Sequence, residues 1–143
     1  MGLVRFEIGD LDAAGAAFRR SIAQSDNDAE AWYDLAFVHL AAGNSEHAKR
    51  AFAKAAKLGA SGSAASLNNL GVLLAREGKL VDATLQFEKA AAIDRTGIAL
   101  ANLDKCKRLM DNSSIAGAAA ELRLVPRRGS NSYEQTARHT RDN

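Results

Sequence analysis

Three glycines, Gly9, Gly43 and Gly78, stand 34 and then 35 residues apart, and their surroundings repeat in step. Five places after each comes an alanine, Ala14, Ala48 and Ala83; four places further on comes Phe18, Phe52 or Phe87. A small residue, Gly2, Ala36 or Gly71, precedes each glycine by seven. The Gly and Phe columns owe nothing to the abundance of alanine, so the register is a true repeat. A period of this length marks helical hairpins that cannot bury both faces alone and must stack on neighbours.

Helix geometry assigns the roles. Trp32, Leu35, Ala36 and His39 recur at steps of three and four and share one face of a first helix. Gly43 and Asn44 end it, because glycine accepts the left-handed conformation of a C-terminal cap. Ala48, Ala51, Phe52 and Ala55 line one face of a second helix. The small Ala36 and Ala48 let two backbones approach, and the phenylalanine fills the space beside them. Composition agrees with an all-α chain. It is 47% hydrophobic but only 6% aromatic, with one Pro in 143 residues, and no period-two pattern is sustained.

The pattern W-x-x-L-A-x-x-H-x-x-x-G-x-x-x-x-A-x-x-x-F-x-x-A, from Trp32 to Ala55, resembles the tetratricopeptide repeat. Leu67, Leu70, Gly71, Leu74, Gly78, Ala83, Phe87 and Ala90 match it again. The resemblance spans residues 1 to about 110. It implies a right-handed superhelical solenoid of antiparallel helix hairpins. Expected boundaries are a partial repeat over about 1–28, repeats over 29–62 and 63–96, and a capping helix over 97–111. The cap begins after Thr96 as N-cap, and Ile98, Leu100, Leu103, Lys107 and Met110 place an apolar stripe beside a strongly charged face. Residues 113–143 are expected to form a flexible tail, with a short helix at 115–125 and disorder from Pro126 onward. Within it LVPRRGS is similar to a thrombin-type linker, with an extra Arg.

Departures from the family pattern are specific. His39 and Leu74 stand where the family usually has Tyr, and Ala60 and Arg95 replace the closing Pro. The linker GASGS at 59–63 holds one extra residue. Met1 falls at the seventh position of a repeat, which suggests either a longer array or a first hairpin packed on something else.

In the family, the first helices of successive hairpins line a concave wall. Carried onto this chain, the groove-facing columns hold Tyr33, Asp34, Phe37, Asn68, Asn69, Arg76, Asn102, Lys105 and Arg108. An asparagine amide both donates and accepts, so Asn69 and Asn102 can pair with the main chain of an extended ligand whatever its sequence. Tyr33 and Phe37 offer apolar contact, and the cations select charge. The alternative is that these asparagines only bond to a neighbouring helix. The chaperone-carboxylate clamp found in some members is disfavoured: Asn69 fits it, but Tyr33, Phe37 and Ile98 stand where it needs basic or Asn residues, and Asn102 falls where those members have Arg.

Chemistry is sparse. His39 reads as a buried structural histidine, His47 as solvated surface, and Cys106 as a half-buried thiol. No H-E-x-x-H, C-x-x-C or phosphate loop occurs, so no enzyme activity, metal or cofactor is expected. No apolar run approaches the roughly 18 residues of a membrane span, and a cytoplasmic setting is the expectation. Residues 1–112 hold fourteen basic and fourteen acidic side chains, so the net charge of +2 arises in the tail. That balance disfavours a further alternative, an RNA-binding helical repeat, which would be expected to show a basic groove. The expected function is an adaptor that binds a protein or peptide within a larger assembly. Self-association as a structural subunit, through the incomplete first repeat, is the alternative.

Overall fold

The computed structural model describes residues 10–59, 62–95, 97–112 and 122–125. Among these are six α-helices and no strand: α1 Leu11–Gln24, α2 Ala29–Ala41, α3 Ser45–Leu58, α4 Ser63–Arg76, α5 Leu80–Ile93 and α6 Ile98–Asp111. They fall into two compact units that divide after Ala60. The first contains α1 to α3; α1 packs on α2 and α2 on α3. In the second, α4 packs on α5, α5 on α6, and α6 also touches α4.

The helix ends follow local chemistry. Asp10 caps α1 by accepting from the Ala13 N–H at 2.9 Å, and Asp28 caps α2 through the Ala31 N–H at 3.0 Å. The second Asp28 oxygen accepts from Ser21 Oγ at 3.2 Å, which ties the end of α1 to the start of α2. Helices α2 and α4 end alike. Gly43 and Gly78 take φ of 80° and 81°. In α2 the Asn44 N–H bonds to His39 O (2.8 Å) and the Gly43 N–H to Leu40 O (3.0 Å). In α4 the Lys79 N–H bonds to Leu74 O and the Gly78 N–H to Ala75 O, both at 2.9 Å. This six-to-one and five-to-two pairing needs a left-handed residue at the turn, which explains two of the repeat glycines.

The phenylalanine column lies inside. Phe18 is 7% exposed, and Phe52 and Phe87 are fully buried. A Cβ at Gly71 would stand 2.7 Å from Phe87 Cε1, so the ring of α5 lies directly on the backbone of α4. In the first unit the matching position is Ala36, fully buried, as is Ala48. There Phe52 meets Tyr33 and Phe37 edge-on, with ring centroids 5.5 and 5.4 Å apart.

Several expectations need correction. The buried face of α6 is Ala99, Asn102, Cys106 and Leu109; of the expected stripe Leu103 packs against the core, whereas Ile98, Leu100 and Met110 are 42 to 48% exposed. Packing selected the face whose small residues let α6 approach α5, not the face with the larger apolar side chains. Gly97 occupies the N-cap position of α6, and Thr96 lies outside the described residues. Cys106 is fully buried rather than half-buried: Thr84 Oγ1 lies 3.4 Å from its Sγ while donating to the Leu80 carbonyl at 2.8 Å. His39 is only half-buried, and its ring lies 5.1 Å from that of His47.

Two outcomes follow. Gly71→Ala should destabilise the protein by about 1–3 kcal/mol in urea unfolding, because overpacking outweighs the gain in helix propensity. Adding Phe87→Leu should make the double variant lose less than the two single losses combined. The second concerns pH. Burial, then the neighbouring His47 and Arg19 charges, lower the His39 pKa below its ordinary 6.5. The unfolded chain therefore takes up the proton first. This contribution to stability is fully present above pH 6.5 and is lost as pH falls toward the lowered folded value. Unfolding at pH 7.5 and 5.5 should show that loss, and His39→Gln should flatten the slope.

Candidate functional site

Helix α4 carries two adjacent asparagines, Asn68 and Asn69, and α6 carries Asn102; none is more than 1% exposed. A carboxamide taken out of water must find partners, or it costs about 1–3 kcal/mol. Here the three amides find each other and a stretch of backbone. Asn102 Nδ2 donates to Asn68 Oδ1 at 2.8 Å, and Asn68 Nδ2 to Asn69 Oδ1 at 3.3 Å. The result is a row of amides running from α6 onto α4.

The backbone belongs to residues 122–125. Asn102 accepts from the Arg123 N–H at 3.1 Å and donates to the Arg123 carbonyl at 2.9 Å. Asn69 does the same for Val125: its Oδ1 takes the Val125 N–H and its Nδ2 donates to the Val125 carbonyl at 2.9 Å. Asn68 Nδ2 adds a second donor to the Arg123 carbonyl at 2.9 Å. In an extended chain the N–H and C=O of residues i and i+2 point the same way. Two carboxamides one such step apart therefore stand in for the edge of a neighbouring strand.

The side chains of this segment alternate. Leu122 is 2% exposed and joins the cluster of Val72, Ala75, Leu80, Ala83, Phe87, Cys106 and Leu109; Leu124 packs against the same cluster. Arg123 is exposed. Residues 122–125 were expected within a short helix and a flexible tail; they are extended and docked instead, because the amide row satisfies their backbone and the cluster takes their leucines. The rest of that expected tail, 113–121 and 126–143, lies outside the described residues. The site thus includes Leu122 and Leu124, which sequence reasoning missed. Their signal was the alternation Leu-Arg-Leu ahead of Pro126, a residue that cannot continue a helix.

The other candidate residues are placed differently. Lys105 is half-buried and borders a hollow of about 280 Å³ with Gly97, Ile98, Ala101, Asn102 and Arg123. Arg76 is exposed in the last turn of α4. Arg108 is exposed and paired with Asp104 at 2.9 Å on its own helix. Tyr33, Asp34 and Phe37 are buried on α2 in the first unit. The rings of Tyr33 and Phe37 stand 5.3 Å apart and both touch Phe52, so they build the α2–α3 packing rather than an open anchoring surface. Among the described residues no cluster of three or more His, Cys, Asp and Glu could hold a metal ion. No described helix is long and apolar enough to cross a membrane.

Removing one amide tests the network. Asn102→Ala would leave the Arg123 N–H without its acceptor and Asn68 Oδ1 without its donor. The expected loss is about 1–3 kcal/mol in thermal or urea unfolding.

Comparison with curated proteins found no match to this chain. A family model described as Tetratricopeptide repeat matches residues 6–70, which cover α1 to α3 and the asparagine-bearing half of α4. The second match to the repeat pattern, Leu67 to Ala90, runs beyond that segment, and in α4 and α5 it folds as a hairpin with the phenylalanine buried and the glycine at the turn. Over residues 6–70 the chain is thus similar to the tetratricopeptide repeat family, and its described residues form an all-α fold of helical hairpins.

Proposed function

We propose that this protein is an interaction module that holds an extended polypeptide segment along α4 and α6, as a part of a larger assembly. Tetratricopeptide repeats generally mediate protein–protein interaction, and the chain's own chemistry supports a specific mode. The observation that carries the reading is the pairing of Asn69 and Asn102 with both backbone groups of alternate residues in an extended segment.

Such pairing recognises a peptide main chain without regard to its sequence. Apolar side chains on alternate residues supply the remaining affinity, as Leu122 does with its burial, worth about 1.5–3 kcal/mol. Lys105, which borders the hollow beside Asn102 and Arg123, contributes charge selection at the edge of the site. No step of bond making or breaking enters this reading, and the three histidines and Cys106 play no part in it.

Selection of displayed random peptides on the full chain, repeated on Asn69→Ala plus Asn102→Ala, tests the reading. Peptides enriched on the parent chain should bind the double variant at least about tenfold more weakly, from the loss of two paired amides. Equal binding to a double variant with native helicity would remove the amide row from the recognition surface.

A further inference from the structure

The segment seated on the amide row shows which ligands the row accepts. Three features define it. Arg123 and Val125 offer N–H and C=O to Asn102 and Asn69, so both positions need free backbone amides and cannot be proline. Leu122, 2% exposed, enters the cluster around Phe87 and Leu109, and Leu124 follows it. Arg123 projects outward beside a hollow bordered by Lys105.

We propose that the α4–α6 face is a strand-reading site for extended peptides of the pattern apolar, any non-proline residue, apolar, any non-proline residue, and that residues 122–125 are its built-in competitor. The inference rests on the proposed function and adds the ligand class and the occupant. Asn112, the last described residue after α6, is separated from Leu122 by nine residues. A tether of that length keeps the resident segment at an effective concentration on the order of millimolar. A partner must therefore outcompete it, and charge gives a route. Arg123 and Lys105 are like charges on one hollow, so an acidic residue at the Arg123 position suits the site better than the resident one. Exposed charge pairs are weak, and the advantage is about two- to fivefold.

The test uses the full chain and a fluorescein-labelled peptide with the sequence of residues 120–126, followed by polarisation. In one variant chain, Leu122→Ser plus Leu124→Ser releases the resident segment. A second, Val125→Pro, removes one backbone bond and leaves both leucines in place, so that it covers any failure of the first to fold. Circular dichroism checks each. The peptide should bind either released chain at least about tenfold more tightly than it binds the parent, since the tethered competitor is gone. A peptide with Arg123→Glu should bind more tightly than the parent peptide, and one with Arg123→Pro should not bind.

Equal binding to the parent and both helical variants overturns the competitor role. If the peptide with Leu122→Ser and Leu124→Ser binds as well as its parent, the alternating apolar pattern is wrong, while main-chain recognition by the asparagines still stands. If instead Asn69→Ala plus Asn102→Ala in the released chain changes nothing, the proposed function itself fails. Equal affinity of the Glu and Arg peptides removes the charge selection.

Discussion

The contact between the Phe87 ring and the backbone at Gly71 sets the geometry of the second unit. A ring carbon 2.7 Å from where a Cβ would stand leaves no room for any side chain there. The two helices can close only on a residue that has none. Gly71 lies two residues after Asn69, so this contact also fixes where the asparagines point. The first unit solves the same problem with Ala36 and a ring that is shared among Tyr33, Phe37 and Phe52. One repeat spends its aromatic volume on internal packing. The other keeps its first helix slim and leaves polar side chains at the face toward α6.

Buried asparagines in helices are costly unless every group is paired, and this cost makes the row informative. Asn68, Asn69 and Asn102 bond to one another along one direction, which uses only part of their capacity. What remains is a donor and an acceptor on both Asn69 and Asn102, aimed at one edge. An extended main chain offers the matching acceptor and donor at every second residue. Helix could not serve, because its N–H and C=O groups are already committed within the helix. The conformation of residues 122–125 is thus dictated by the surface they meet.

Much of this was legible in the sequence because it depends on period. Gly43, Gly78, Phe52 and Phe87 repeat, and each does locally what a helix end or a hairpin contact requires. Asn69 and Asn102 could be singled out, since they occupy equivalent places in successive helices; in the structure they pair with residues 122–125. The face of α6 was misread for a reason that lies in packing. Leu100 and Met110 are the larger apolar residues, but Ala99, Asn102 and Cys106 allow closer approach, and closeness prevailed. Tyr33 and Phe37 were read as ligand anchors, although aromatic rings on an inner helix serve a neighbouring ring such as Phe52 equally well. For the docked Leu122 and Leu124 the local signal, the Leu-Arg-Leu alternation ahead of Pro126, names no partner. Four extended residues acquire their conformation from distant partners, 56 residues away in the case of Asn69 and Val125.

Neutral amides have a further consequence for selectivity. They carry no charge, do not titrate near neutral pH, and are little affected by salt, so their hold on the backbone of residues 122–125 persists under a wide range of conditions. For the same reason it cannot by itself tell one extended chain from another. Discrimination must come from the places where side chains enter, chiefly the cluster that receives Leu122 and the hollow beside Lys105. The apolar cluster rewards shape and is deeply buried, so a polar residue there loses the whole burial term. The hollow is open to water, where a charge modulates affinity by a smaller factor. For the proposed ligand, the order of these magnitudes makes the leucine position the primary determinant, with charge as a secondary adjustment, and leaves the asparagines to fix register.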